Sequence, residues 1–343
     1  MNKYKDVQMS NICTSFCFIL CHTKVKTTQE WKLRKKGRVI LGKYLTKRIL
    51  LAIASIWIIT LITFFTMNAI PGGPFNKEKA TSAAVIATLE ARYNLDKPLG
   101  EQYILYMTNL LHGDWGISLH SGRDIWTDIW SKFQISAKLG GRAAAVAIVL
   151  GIILGSVAAL TRNKLPDRLI IFFTTLGTAM PSFVLATLLL LTFCLKLSWS
   201  QVWSSTNPNY TLPVIALSVY PMAYITRLTK TSMLDALNQD YVRTARAKGV
   251  SKIKVIFVHA LRNALIPVIT YVGPMVAYIL TGSMVVENIF TIGGLGSVFV
   301  TSINNRDYPV IMAVTIFLAI LMVIANLLTD IVYKLVDPRI KLD

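Results

Sequence analysis

Apolar residues fall in long blocks along the chain. Residues 49–70, 143–160, 169–195 and 264–286 carry no charged side chain, and residues 309–333 carry only Asp330. Each is about as long as a helix must be to cross roughly 30 Å of hydrocarbon. A sixth block, 212–226, is shorter and contains Pro213 and Pro221, but polar flanks on both sides mark it as a span too. The pattern predicts an all-α integral membrane protein with six transmembrane helices. Pro181 falls inside the third span, and Pro267 and Pro274 inside the fifth, where a missing N–H predicts helix kinks. Gly151 and Gly155, four apart in the second span, predict a close helix approach.

The polar stretches have their own organisation. After the first span, Pro71-Gly72-Gly73-Pro74 reads as a sharp break. Helical spacing then recurs over 81–93 and 98–111, and Gly113-Asp114-Trp115-Gly116 reads as a turn. Trp115, Trp126 and Trp130 are expected near the headgroups on the outer face. Lys138 and Arg142, on one face at the start of the second span, are expected to snorkel to that interface.

Composition excludes an ordinary soluble domain: mean hydropathy is +0.53, with 54% apolar and only 15% charged residues. The net charge of +19 concerns orientation rather than nucleic acid. Segments 1–48, 161–168, 227–263 and 334–343 hold 26 of the 36 lysines and arginines, and all four lie on one side of a six-span protein. The positive-inside rule puts both termini in the cytoplasm. Cys13, Cys17 and Cys21 stripe a helix face, but no histidine or carboxylate completes a zinc site with them. Cys194 stands alone in the third span. No cleavable signal is evident, and Gly42-Lys43-Tyr44-Leu45 reads like a natural start after a 1–41 extension.

The basic island at 227–263 is longer than a connector needs to be. Within it run Asp240, Tyr241, Val242, Arg243, Thr244, Ala245, Arg246, Ala247, Lys248 and Gly249. Asp240 is expected to cap a short helix and Gly249 to end it in a left-handed conformation. Tyr241 and Val242 offer an apolar grip, Ala245, Ala247 and Gly249 leave room for close approach, and the cations rim the surface. That chemistry suits a groove on another protein. A lipid-bound helix would carry larger apolar residues. Ser251 is expected to cap the helix that climbs back into the membrane.

The run from Asp240 to Gly249, followed by His259-Ala260-Leu261-Arg262-Asn263-Ala264-Leu265-Ile266-Pro267, resembles the EAA loop of ABC importer permeases, and more narrowly their dipeptide/oligopeptide/nickel branch. Lys43-Tyr44-Leu45-Thr46-Lys47-Arg48, Pro71-Gly72-Gly73-Pro74, Asn94-Leu95-Asp96-Lys97-Pro98-Leu99, Gly113-Asp114-Trp115-Gly116 and Asp337-Pro338-Arg339 also fit. The usual Glu-Ala-Ala core is here Thr244-Ala245-Arg246, a replacement common in the branch. The resemblance covers residues 42–343 and implies a type I (MetI-like) permease fold. It implies a first helix with an external segment over 42–133, a core over 134–334 and a cytoplasmic tail over 335–343. The implied partners are a homologous second permease, two cytoplasmic ATPases, and an extracellular or periplasmic substrate-binding protein, all about a lipid bilayer. Peptides are the expected cargo, with nickel or another small solute as the alternative.

No G-x-x-x-x-G-K-[ST] run occurs, so ATP and Mg²⁺ are expected on partner subunits, with no cofactor or metal in this protein. The four histidines are scattered and no catalytic motif is present, which weighs against a membrane enzyme. A secondary transporter would need intramembrane acids, and Asp330 is the only acid within the predicted spans. A bulky residue at Ala245, or Gly249→Pro, is expected to uncouple transport without unfolding the spans.

Overall fold

The computed structural model describes residues 46–69, 94–281 and 283–336, with side chains to 332 in the last helix. The expected 81–93 helix, Pro71-Gly72-Gly73-Pro74, Cys13, Cys17, Cys21 and Asp337-Pro338-Arg339 lie outside the described residues. The protein forms two units. Met1–Ser55 with Ile340–Asp343 is described only over 46–55, which are helical, and Ile56–Arg339 is the larger unit.

The described residues form helices and no strand. α1 is Thr46–Ala69, α2 Leu99–Leu111, α3 Ile125–Leu160 and α4 Leu165–Ala179. α5 is Ser182–Lys196, π-helical from Leu190. α6 is Thr211–Leu237, α7 Asp240–Ala247, and α8 Lys252–Leu280, with a π-helical turn over Val255–Ala260. α9 is Met284–Ile289, α10 Leu295–Asn305 and α11 Tyr308–Val336. α1, α3, α6, α8 and α11 are each long and apolar enough to cross a membrane. α4 and α5 pass that test only as a pair, bent by 102°, and counted as one span they make six.

The bend has a local cause. A residue before proline is pushed out of the helical region, and Met180 is extended (φ −87°, ψ 121°) with Pro181 capping α5. Pro181 thus stands at a break between two helices, sharper than the kink expected inside one. Pro267 and Pro274 lie within the uninterrupted helical run Leu261–Leu280. Two other helices outrun their apolar blocks. α6 continues past Thr226 because Thr229, Met233 and Ala236 keep one face buried. α3 begins at Ile125, where Asp124 accepts from the Thr127 N–H at 2.8 Å, and it runs unbroken through residue 134.

Glycines bring these long helices together. A Cβ at Gly155 would sit 2.5 Å from the Thr226 carbonyl oxygen, and one at Gly151 would sit 2.7 Å from the Ile225 Cβ. The Gly151–Gly155 pair is therefore the surface on which α3 meets α6. Gly140 meets α8 the same way, 2.8 Å from the Ile279 carbonyl oxygen. Around these crossings Leu139, Ala143, Ile225, Val268, Met275, Ile279 and Phe290 form the largest buried apolar cluster. Outside it, the Trp115 and Trp126 rings lie 5.0 Å apart and Trp126 stacks on Trp130 at 6.0 Å. The Arg142 guanidinium lies over the Tyr210 ring at 4.8 Å.

Candidate functional site: the loop helix and its mount

Most of the basic island belongs to the long helices α6 and α8, which leaves only 238–251, with α7 at its centre, as the loop between them. Asp240 is the first residue of α7 rather than its cap. Gln239 holds the cap position with an extended backbone and makes no side-chain cap bond. Asp240 still favours the helix electrostatically, because a carboxylate in the first turn faces the positive end of the helix dipole. The other end closes as the sequence predicts. Gly249 has φ +75°, its N–H donates to the Arg246 carbonyl at 3.0 Å, and the Val250 N–H donates to the Ala245 carbonyl at 3.2 Å. Those two bonds across a left-handed residue are a Schellman motif, which turns the backbone sharply into α8.

The orientation of α7 corrects the expected grip. Val242 is fully buried and Ala245 is 8% exposed, both turned into the protein. They pack in one cluster with Ala159 of α3, Met233 and Ala236 of α6, and Val255, Ala260 and Ala264 of α8. Burying Val242 stabilises this mount by about 1.5–3 kcal/mol. The small residues that pointed to close approach therefore serve, at Ala245, the protein's own packing. Tyr241, Arg243, Thr244, Arg246, Ala247, Lys248 and Gly249 are exposed, which leaves a basic outer face with one aromatic side chain. Ser251 holds the cap position before α8 without a side-chain cap bond. Lys230 of α6 and Asp167 of α4 form an ion pair at 2.5 Å, and Asp167 also accepts from the Asn163 N–H at 3.0 Å.

A second polar centre has no counterpart among the predicted residues. Glu287 of α9, one residue past the fifth apolar block, is fully buried. Ser136 Oγ of α3 donates to its Oε1 at 2.8 Å, the Ser297 N–H donates to its Oε2 at 3.2 Å, and Ser136 Oγ accepts from the Leu295 N–H at 2.8 Å. A Cβ on Gly294 would lie 2.5 Å from Oε2, so glycine is what makes room for the carboxylate. Burial pushes the Glu287 carboxyl above the usual range, against the opposing pull of Ser136 and the Ser297 and Gly296 N–H groups. The arrangement ties α3, α9 and α10 together. The sequence signal for it is a lone acid followed closely by Gly293, Gly294 and Gly296.

Among the described residues no three His, Cys, Asp or Glu side chains are placed to hold a metal ion. The ring of His112 bonds the Thr108 carbonyl oxygen, and the ring of His120 that of Asn305.

Comparison with known proteins gives a consistent picture. Residues 148–342 match the family described as binding-protein-dependent transport system inner membrane component, and residues 41–136 match the N-terminal region of such membrane components. The sequence is 47% identical over 304 residues to the dipeptide transport system permease protein of Bacillus subtilis, covering 88% of this protein and 99% of that one. It is 41% identical over 303 residues to the oligopeptide transport system permease protein of Haemophilus influenzae, covering 87% and 99%. Among solved structures, an inward-facing form of the MetNI methionine ABC transporter shares the fold. Its TM-score is 0.50 at 14% identity, over 61% of this protein and 96% of that one.

Proposed function

The chain belongs to the family of binding-protein-dependent transport system inner membrane components, multi-pass membrane permeases, and on that premise we propose that it is one permease half of an ATP-driven peptide importer. The observation that carries the cargo is its likeness over nearly the whole length of relatives named for dipeptide and oligopeptide transport. In this reading an external binding protein delivers the peptide, and a homologous second permease completes the path across the bilayer. Two cytoplasmic ATPases bind ATP and Mg²⁺, so no cofactor resides in this subunit.

Coupling follows from the mount of α7. Its outer face, with Tyr241, Thr244 and Lys248, docks in a groove on the ATPase, while Val242 and Ala245 fix it to α3, α6 and α8. A push on α7 is thereby shared by three spans. Gly249→Pro breaks the transmission, because proline holds φ near −65° where the backbone needs +75°, and it removes the N–H given to Arg246.

The test is uptake in the native host with the gene for this subunit deleted, then restored. Labelled dialanine or pentaalanine should enter only with the intact protein, and Gly249→Pro should fail to restore entry while still reaching the membrane in normal amount. If deletion abolishes nickel uptake and leaves both peptides unaffected, the peptide assignment falls.

A further inference from the structure

α6 is the most enclosed of the membrane-crossing helices, and its open stripe has the wrong chemistry for hydrocarbon. Tyr220, Tyr224, Arg227 and Thr231 are exposed at spacings of four, three and four, one face of a helix. Behind them Ala223, Ile225, Thr226 and Thr229 are fully buried. By contrast, α3 and α4 expose runs of large apolar side chains, Val149, Leu150 and Ile153 on α3 and Phe172, Phe173 and Leu176 on α4. Those suit lipid. Phenol and guanidinium groups need hydrogen-bonding partners that acyl tails lack, and in membrane proteins such groups face a bundle interior or a water-filled cavity.

α8 extends the same surface. The Tyr271 ring lies against that of Tyr224, centroids 4.2 Å apart. Pro267, Pro274 and Tyr278 are exposed beside it at spacings of seven and four. Proline cannot return the helical N–H to the preceding turn, and a face turned to water is one place where that loss is tolerated. From α4, Thr178 Oγ1 accepts from Arg227 Nη1 at 3.2 Å and holds the guanidinium at the stripe.

The geometry points to Tyr220, Tyr224, Tyr271 and Arg227 as the wall of the water-filled path that touches the peptide in transit, an inference that rests on the peptide reading above. Phenolic hydroxyls both donate and accept, so they serve backbone C=O and N–H groups whatever the side chains are. One guanidinium matches the single terminal carboxylate that every unmodified peptide carries. Contacts of this kind accept many sequences, as suits a permease handed cargo that an external protein has already selected. The competing occupant is the second permease, seated dry against the same stripe.

Thiol labelling separates the two. Tyr220→Cys, Tyr224→Cys and Arg227→Cys are placed one at a time in the assembled transporter, with the native cysteines changed to serine and Leu150→Cys as the lipid-facing reference. A charged, membrane-impermeant methanethiosulfonate is supplied on both sides of proteoliposomes. The stripe cysteines should label far faster than Leu150→Cys, and dialanine or pentaalanine, whichever is imported, should slow them. Arg227→Gln should raise the KM for that peptide about tenfold, the loss of one charge-assisted bond. Labelling as slow as at Leu150→Cys would overturn the inference in favour of a dry interface or lipid. Fast labelling that the peptide leaves unchanged would overturn the peptide contact. Absence of uptake by the parent transporter would overturn the function reading, and this inference with it.

Discussion

Ala245 lies on the inner side of α7 with Val242, among residues of α3, α6 and α8. Ala245→Trp therefore pushes the helix off its own seat rather than into a partner. Overpacking of this kind costs about 1–3 kcal/mol, and the expected readout is faster tryptic cleavage at Arg243 and Arg246 together with loss of uptake. Arg246→Ala, on the outer face, should leave both the cleavage rate elsewhere and Tm unchanged while weakening co-purification of the ATPase. Glu287 poses the opposite problem, a buried carboxylate whose partners are all donors. Glu287→Leu strands those donors at about 1–3 kcal/mol each. Because burial raises the folded-state value, the stability contributed by this carboxyl is complete below its unfolded value of about 4.3. It is lost as pH rises through the raised folded value. Thermal unfolding in detergent should accordingly show Glu287→Gln flattening part of the decline in Tm as pH rises above about 4.3, with Glu287→Leu low throughout.

At the scale of elements, the α3–α6 crossing is set by backbone approach. Gly155→Val forces its side chain against the Thr226 carbonyl oxygen, which belongs to a rigid helix, and should cost about 1–3 kcal/mol or more. Gly100→Ala in α2 meets nothing within 4 Å and should change stability by no more than about 1 kcal/mol. Comparing Tm and monodisperse yield of the two variants checks this. The spans are legible in the sequence because hydropathy alone marks a membrane helix, and the α7–α8 corner because Gly249 marks a left-handed end. The early start of α3 and the late end of α6 are not, since their extensions are amphipathic and bury only one face. Val242 reads as an outward grip because a single apolar residue on a short helix does not say which way the helix is turned. Glu287 gives little signal because it falls just beyond an apolar block, and its partners come from α3 and α10, on other elements of the fold.

At the scale of the molecule, α7 is a short arm bolted to three spans, and the α6–α8 surface that carries Tyr224 and Tyr271 is built on two of them. A displacement delivered at the loop therefore reaches the helices that hold the proposed path without passing through a flexible joint. The central claim is that the outer face of α7 receives that displacement from an ATPase. It is tested most directly by a thiol-anchored photo-crosslinker at Thr244→Cys, with Val202→Cys, an exposed position in the loop between α5 and α6, as the comparison. The account predicts a covalent product between this permease and the ATPase subunit from Thr244→Cys and none from Val202→Cys. Capture of lipid alone at Thr244→Cys, with the ATPase present and active, would contradict it.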